Sequence, residues 1–318
     1  MKITIKAILI FICFIISGTL SAQDSNITYS IERIENMIMS DSIEIAIPRD
    51  IRFKGDKAKF AVLKRYSDGF FINVKIKKAA KGGQALNNQP RYEIAAYKIQ
   101  ELFLDTSEYV VPPTLGRGFT REQFSVIEKD AEPTFKESDM VFCDIQYWLN
   151  NVTKDNVFDK ERFKNDSLYA KHIGNLNILT YLIRHSDSNE GNFLVSTDST
   201  NPRVFVVDNG LAFGDAISRR GYKWRDLRVD RLPEKTIDRL KKITKEDLED
   251  HLLVVSQFRI ENRMLIPEPA TQPINTNKGV RITDDTLQFG LTSREIQEVY
   301  WRLETLLNDV KQGRIETF

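Results

Sequence analysis

The chain has 318 residues, of which 41% are hydrophobic and 29% are charged. These proportions are typical of a globular protein that is long enough to bury a core, and they suit one two-lobed domain or two small domains. The 46 basic and 45 acidic residues give a formal net charge of +1, and this balance argues against a protein that binds nucleic acid or anionic membranes.

The N-terminal 22 residues have the pattern of a secretory signal peptide. Lys2 and Lys6 precede an apolar run over residues 7–16, and mostly small residues follow it. The run is too short to span a bilayer comfortably, so cleavage after Ala22 is favoured over a retained anchor. We therefore expect an exported protein, periplasmic or secreted, that has no stable membrane insertion after cleavage. We also expect it to be a monomer.

Cysteine usage limits how the exported chain can be stabilised. Cys13 lies within the predicted signal peptide, so only Cys143 remains after cleavage and no intramolecular disulfide can form. Cys143 lies in the apolar segment DMVFCDIQYWL, which favours a buried hydrophobic role. With only three histidines in the chain, a structural zinc site is not expected.

The first part of the chain is rich in predicted strands. β-branched and aromatic runs recur in the segments SIEIAIPRDIRF, KAKFAVLKRY and GFFINVKIKKA. Asp68-Gly69 precedes the third run and is a hairpin signal, so the pattern predicts two or three antiparallel strands. Pro90 suits the first turn of a helix, in which apolar residues repeat at helical spacing as far as Phe103. Further strands are predicted in YVVPPTLGRGF, QFSVIEK and MVFCDIQYWL.

From Ser167 onward the sequence favours helices. The segment SLYAKHIGNLNILTYLIRH is apolar on most faces, which indicates a buried helix, and a β-hairpin is predicted over residues 193–207. Later helices are predicted at 234–243, at 245–257 behind Thr244, and at 293–311 behind a Thr292-x-x-Glu295 capping box. Residues 262–290 are expected to form a long loop, an insertion with its own role.

Residues 184–214 carry polar residues at the ends of these predicted elements. Asp187 lies five positions before Asn192, and after the hairpin Asp208 opens an Asp-Asn-Gly. This is the layout of a protein-kinase-like catalytic centre, in which one Asp faces the acceptor hydroxyl while the Asn and the second Asp hold the metal on the ATP phosphates. We predict that Asp187 is catalytic and that Asp208 and Asn192 bind Mg²⁺ or Mn²⁺. Either motif alone would be an ordinary turn.

The predicted strand FFINVKIKKA supplies candidate cations. Lys75 and Lys77 alternate with apolar residues and therefore lie on one face of the strand. A kinase needs one strand lysine that reaches the α- and β-phosphates, and we favour Lys75. Glu93 opens the next predicted helix, where its carboxylate could pair with that lysine or reach a metal. The alternatives are two solvated lysines and a glutamate that is simply well placed near a helix N-terminus.

Four of these stretches resemble, in the same order, segments of the secretory-pathway kinase family, which includes the Golgi casein kinase and the proteoglycan xylose kinase. FFINVKIKK resembles the phosphate-binding lysine strand, RYEIAAYKIQELF the Glu-bearing helix, VVPPTLGRGF the strand that follows, and DNGLAFG the metal-binding segment. The resemblance implies ATP with Mn²⁺ or Mg²⁺ as cofactors. It also implies that Lys75 and Glu93 are associated with the nucleotide and metal, that Asp187 is catalytic and that Asp208 is a metal ligand.

The fold that this resemblance implies is an α+β, two-lobed, protein-kinase-like fold. One kinase-like domain would then cover residues 23–318, with a β-rich N-lobe over about 40–150 and an α-rich C-lobe over about 151–318. Ser188-Asn189 replaces the Arg-His that usually follows the catalytic Asp in the family, and a Gly-rich phosphate loop is missing. We therefore expect a divergent, bacterial member.

The function that these residues predict is an exported, metal-dependent kinase that transfers the γ-phosphate of ATP to a hydroxyl of a protein Ser/Thr or of a glycan. The alternatives are a kinase-fold pseudoenzyme that binds nucleotide or acts as a scaffold, and an adenylyl-transferring relative. The complete residue set favours activity, while the scarcity of ATP outside the cytosol favours the alternatives. A cluster of arginines would hold an acidic substrate or a phosphate, or form a solvated basic face: Arg219, Arg220, Arg225, Arg228 and Arg231.

Overall fold

A computed structural model describes residues 24–51, 57–187, 190–214 and 228–318. These residues form an α+β fold, as the sequence predicts, with antiparallel sheets and helices. No helix among them is both long and apolar enough to cross a bilayer. Several features discussed above lie outside the described residues: the predicted signal peptide, Ser188-Asn189, Arg219, Arg220 and Arg225.

A five-stranded antiparallel sheet dominates the N-terminal half. Its strands are β1 (Ile43–Asp50), β2 (Ala58–Arg65), β3 (Phe71–Lys78), β4 (Thr114–Phe119) and β5 (Val141–Tyr147). Their order in the sheet is β1-β2-β3-β5-β4. The first three strands confirm the prediction, and Gly69 has a φ of 68° in the turn between β2 and β3, a conformation that glycine adopts at little cost. Every residue of β5 is buried, Cys143 included, in keeping with its apolar sequence.

Three helices accompany this sheet, namely α1 (Ile31–Met39), α2 (Pro90–Ile99) and α3 (Arg121–Phe124). α2 begins at Pro90, as predicted, and a 3-10 turn over Gln100–Leu102 continues it. The strand predicted in QFSVIEK was wrong. Thr120 and Gln123 form a capping box, with Thr120 Oγ1 accepting the Gln123 N–H at 3.1 Å and Gln123 Oε1 accepting the Thr120 N–H at 3.0 Å. This capping starts a helical turn despite the strand-like composition.

Helices and a small sheet make up much of the C-terminal half. The helices are α4 (Lys160–Asn165), α5 (Ser167–Leu182), α6 (Glu234–Leu240), α7 (Lys245–Leu252) and α8 (Ser293–Lys311). α5 is largely buried, as its apolar sequence predicts, and α8 starts at the predicted capping box of Thr292 and Glu295. The predicted hairpin consists of β7 (Phe193–Ser196) and β8 (Val204–Val206), and β6 (Val152–Thr153) pairs with β7. β9 (Arg231–Leu232) pairs in parallel with a short strand near the C-terminus, over Glu316–Thr317.

Residues 262–290 contain strands, so the prediction of a long loop was wrong. A four-stranded antiparallel sheet is formed by β10 (Ser256–Glu261), β11 (Met264–Glu268), β12 (Val280–Ile282) and β13 (Thr286–Phe289). The C-terminal strand that pairs with β9, over Glu316–Thr317, is β14. The turn between β10 and β11 has positive φ at both Asn262 (49°) and Arg263 (63°), as in the tight hairpin turns that match strand twist. The helix predicted over 245–257 ends earlier, at Leu252, because β10 begins at Ser256.

The buried apolar side chains form two clusters. One cluster lies between the large sheet and α1, and the other joins α2 to α5, α7, α8 and the four-stranded sheet. The stacked rings of Phe142 and Phe289, with centroids 4.3 Å apart, connect β5 to β13 in the second cluster. Because protein interiors are close-packed, α2 is held by the C-terminal helices as well as by the sheet.

Candidate functional site

A cleft of about 1310 Å³ lies between the large sheet and the β7–β8 hairpin with the loops next to it. From the sheet, Lys75, Lys77 and Gln146 line it. On the opposite side it is lined by Asp187 and Asp208, which lie 21 positions apart in the sequence. The fold therefore brings three of the predicted site residues, Lys75, Asp187 and Asp208, to one space.

The two strand lysines share one face of β3, as the alternation of the sequence predicts. Lys75 Nζ lies 3.6 Å from Asp208 Oδ1, and Lys77 Nζ lies 3.4 Å from the same oxygen. Both ammonium groups thus face the cleft rather than solvent on the far side of the sheet. The carboxylate of Asp208, which follows β8, therefore contacts both ammonium groups.

Glu93 pairs with Lys77 rather than with Lys75, the lysine that we favoured from the sequence. Glu93 Oε1 is 3.5 Å from Lys77 Nζ, and only 1% of Glu93 is exposed. Its second oxygen, Oε2, accepts the backbone N–H of Asn209 at 2.8 Å. One carboxylate near the start of α2 therefore contacts both the strand lysine and the segment that follows Asp208.

The charge of Lys77 is maintained by its neighbours. Burial alone would lower the pKa of this lysine, but the negative charges of Glu93, Asp208 and Asp144 outweigh burial and raise its pKa above the usual value. Lys77 is thus a fixed cation whose charge faces the cleft. Such a group suits the binding of phosphate oxygens.

Asp144 is a member of this group that the sequence reasoning did not single out. It lies on β5 directly opposite Lys77 of β3 and is only 2% exposed. Burial raises its pKa to about 7, the charge of Glu93 adds to the rise, and Lys77 opposes it. The available signal was a lone aspartate in the otherwise apolar segment MVFCDIQYWL, since a carboxyl group in a buried strand needs a partner.

Asp187 and Asn192 belong to one short loop after α5. The chain reverses at Arg184, which has a φ of 49°, and Asp187 follows at the edge of the cleft. The side-chain N–H of the fully buried Asn192 donates to the backbone oxygen of Asp187 at 2.8 Å and lies 3.4 Å from Asp187 Oδ2. Asn192 therefore orients Asp187, as their five-residue spacing permits.

Asp208 follows β8 in a strained backbone conformation. Its φ of 62° lies in the left-handed region, which costs free energy for a residue other than glycine. The buried His185 hydrogen-bonds to the backbone of Asp208, and burial lowers the pKa of this histidine. The sequence reasoning did not select His185, although it lies two residues before Asp187.

Gly210 provides space beside the ion pair. A Cβ atom at this position would lie 3.3 Å from Glu93 Oε1 and 3.4 Å from Lys77 Nζ. The left-handed backbone conformation of this segment occurs at Asp208, two residues earlier. A side chain at position 210 would press on the contact between the lysine and the glutamate.

The oxygen donors at the cleft are compatible with a hard divalent metal. Among the residues that the structure describes, no group of three or more His, Cys, Asp and Glu side chains is arranged to hold a metal ion. Magnesium in nucleotide sites is, however, commonly held by one or two carboxylates together with substrate phosphates and water. The carboxylate of Asp208 lines the cleft and suits such a sparse, oxygen-only donor set, whereas Asn192 is fully buried behind the neighbouring Gly191 and does not itself line the cleft.

Of the described residues in the arginine cluster, Arg231 has structural contacts. Its guanidinium donates to the backbone oxygen of Phe163 at 2.5 Å and lies over the rings of Phe163 and Phe318, 5.0 and 4.9 Å from their centroids. Arg228 is exposed. Arg231 therefore packs the C-terminal strand against α4 and does not line the cleft.

No protein-family model and no curated protein sequence matches this chain.

Proposed function

We propose that this protein is a phosphotransferase with a two-lobed, protein-kinase-like fold, which transfers the γ-phosphate of ATP to a hydroxyl of a protein Ser/Thr or of a glycan. The observation that carries the proposal is a convergence in one cleft. The Lys77–Glu93 ion pair, Asp208 and the Asp187–Asn192 loop meet there, although Lys77 and Asp208 are separated by 131 positions in the sequence. Residues that served only as turn formers would not be expected to converge on one cleft with a buried lysine.

The two lysines would bind the phosphates. In this assignment the large sheet is the main part of the N-lobe and the helical half is the C-lobe, with ATP between them. Lys77, held by Glu93, and Lys75 both face the cleft and would neutralise the negative charge of the triphosphate. Lys77 thus joins Lys75 and Glu93 as a nucleotide-binding residue in the proposal.

Asp208 and Asn192 would hold the divalent metal, Mn²⁺ or Mg²⁺. When bound, such an ion neutralises charge on the phosphate oxygens. Glu93 contributes indirectly, because its hydrogen bond to the Asn209 N–H fixes the backbone next to Asp208.

Asp187 would act on the acceptor hydroxyl. The hydroxyl oxygen forms a bond to the γ-phosphorus, the bond between that phosphorus and the bridging oxygen of ADP breaks, and the hydroxyl proton passes to the Asp187 carboxylate. Asn192 keeps this carboxylate in place through its contacts with the Oδ2 and backbone oxygens of Asp187. We also propose that the reaction takes place outside the cytosol, in the periplasm or after secretion, because residues 1–22 have the pattern of a signal peptide.

The test is transfer of label from ATP. The chain without residues 1–22 is incubated with Mn²⁺ or Mg²⁺ and ATP labelled at the γ-phosphate or, in parallel, at the α-phosphate, with and without protein and glycan extracts. Incorporation of γ-label supports the proposal. Incorporation of α-label alone would identify an adenylyl transferase, and the absence of both nucleotide binding and transfer with either metal would leave the pseudoenzyme or scaffold alternative.

A further inference from the structure

The first turn of α2 is joined to the start of α8 by a buried ion pair. Arg91 Nη1 lies 2.7 Å from Glu295 Oε2, and Arg91 Nη2 lies 2.9 Å from Glu295 Oε1. Arg91 is 7% exposed, and the two parallel contacts make the pair bidentate, which is the strongest and most directional form of this interaction. Two residues that are 204 positions apart in the sequence are thereby fixed relative to each other.

The residues around this ion pair leave space for Arg91 and donate hydrogen bonds to Glu295. A Cβ atom at Gly279 would lie 2.4 Å from the guanidinium carbon of Arg91, so only glycine leaves room for the arginine there. Burial opposes the ionisation of Glu295, but hydrogen bonds from Arg91, from the Thr292 backbone N–H and from Tyr92 outweigh it and lower the pKa of the glutamate. Glu295 is therefore charged at neutral pH, and both of its carboxylate oxygens accept hydrogen bonds.

Tyr92 extends the contact towards the cleft. Its hydroxyl donates to Glu295 Oε1, and its ring lies 5.6 Å, centroid to centroid, from that of Phe213. Phe213 belongs to the segment that follows Asp208, so the first turn of α2 contacts this segment through Tyr92 as well as through Glu93.

Glu93, the next residue, has a long contact with Lys77 and one short hydrogen bond, from the Asn209 N–H. The 3.5 Å between Glu93 Oε1 and Lys77 Nζ is at the limit of a hydrogen bond, and among the described residues Oε1 has no hydrogen-bond partner. The short, bidentate contacts of Arg91 anchor this turn to α8. The ion pair between Arg91 and Glu295 is thus placed to set the position of Glu93.

We infer that Glu295, acting through Arg91 and Tyr92, is a positioning residue for the cleft: it holds the first turn of α2 so that Glu93 reaches both Lys77 and the Asn209 N–H. The inference rests on the proposed function for its catalytic meaning. Its structural content can be measured without ATP.

The test uses two variants and one matched control. Glu295→Gln removes the charge with little change of shape, and Arg91→Lys keeps the charge but lacks the planar guanidinium that makes two parallel hydrogen bonds to the carboxylate. Glu298→Gln is the control, because Glu298 lies one turn further along α8 and pairs with Arg294 and Arg302 instead of α2. Two quantities are measured well below each melting temperature: hydrogen exchange of the backbone amides of residues 92–95 in the nucleotide-free protein, and affinity for a non-hydrolysable ATP analogue with Mn²⁺.

We expect both variants to speed exchange in this turn and to weaken binding of the analogue about 10-fold or more, since small misplacements at such sites have large effects. The control should stay within about twofold of the parent in both measurements, because Glu298 pairs with arginines of its own helix. Exchange and affinity unchanged in Arg91→Lys would overturn the inference, even if Glu295→Gln failed to fold. If the parent protein bound no nucleotide, the proposed function would fail, and the exchange rates alone would decide whether Glu295 positions α2.

Discussion

Lys77 is a buried lysine with carboxylates on several sides. Its ammonium group contacts Asp208 and Glu93, at 3.4 and 3.5 Å, while Lys75 contacts Asp208 alone among the described carboxylates, at 3.6 Å. A charge that is held by fixed partners in a partly dry site interacts more strongly with a ligand than one that is free to move in water. In our account Lys77 is therefore the more important of the two for binding phosphate.

We predict that Lys77→Met weakens metal-dependent ATP binding by about 10- to 100-fold, the loss expected for one charged hydrogen-bonding group. Lys75→Met is the matched control and should have a smaller effect, because the Lys77–Glu93 pair persists in it. Calorimetric titration with ATP and Mn²⁺ measures both. Equal losses in the two variants would contradict the assignment of Lys77.

Asp144 gives the stability of the protein a specific pH dependence. Its pKa of about 7 in the folded protein is above the ordinary value of about 3.9 that applies in the unfolded chain, so the folded state binds this proton more tightly. Between these two pKa values, rising pH removes the proton from the unfolded chain while the folded protein keeps it, and this lowers the free energy of unfolding. Above pH 7 both states are deprotonated, and the loss of stability is constant.

We predict that Asp144→Asn removes this part of the profile. The variant should melt at a higher temperature than the parent at pH 8, and the difference should shrink as the pH falls towards 5. Asp250→Asn, an exposed aspartate on α7, serves as the control and should follow the parent. Melting curves between pH 5 and 8 test this, and a variant that is less stable than the parent at pH 8 would argue against a raised pKa for Asp144.

At the scale of secondary-structure elements, local signals predicted most of the chain correctly. Proline at the start of α2, the capping box of α8 and the apolar sequence of α5 each identified a helix. The errors occurred where tertiary context decides. The segment 123–129 has the composition of a strand but begins at a helix cap, and the strands within 262–290 are short and separated by polar turns, which resemble a loop when read alone.

The first described residues make buried contacts that no sequence pattern indicated. The side chain of Asn26, fully buried, donates to the backbone oxygens of Asn150 and Asn151, each at 3.0 Å, and the backbone N–H of Asn150 donates to the backbone oxygen of Asn26 at 3.0 Å. Asp24 forms an ion pair with Arg203, which is 1% exposed. This segment therefore ties the connection after β5 to the hairpin region.

We predict that Asn26→Ala lowers the free energy of unfolding by about 1–3 kcal/mol, because two backbone carbonyl oxygens lose the donor that the buried Asn26 side chain supplies. Asn36→Ala, at an exposed asparagine of α1, is the matched control and should change it by less than about 0.5 kcal/mol. Urea unfolding followed by circular dichroism measures both. Comparable values for the two variants would mean that the segment contributes little to the fold.

At the scale of the whole molecule, the site depends on an arrangement that spacing alone could not predict. The sequence indicated that Lys75 and Lys77 share a face and that Asp187, Asn192 and Asp208 lie at element ends. Which lysine meets Glu93 depends on how α2 packs against the large sheet, and that is set by a core that α2 shares with α5 and α8. Contacts between distant segments, such as Lys77 with Asp208 or Arg91 with Glu295, leave no periodic pattern in a single sequence.

The central claim is that Asp208 and Asp187 have separate tasks in one phosphotransfer site. The most direct measurement compares Asp187→Ala and Asp208→Ala with the parent chain in two assays, Mn²⁺-dependent ATP binding and transfer of the γ-phosphate. We predict that Asp208→Ala loses both, whereas Asp187→Ala binds ATP like the parent and loses transfer. Transfer that persists in Asp187→Ala, or ATP binding that is unaffected in Asp208→Ala, would contradict the account.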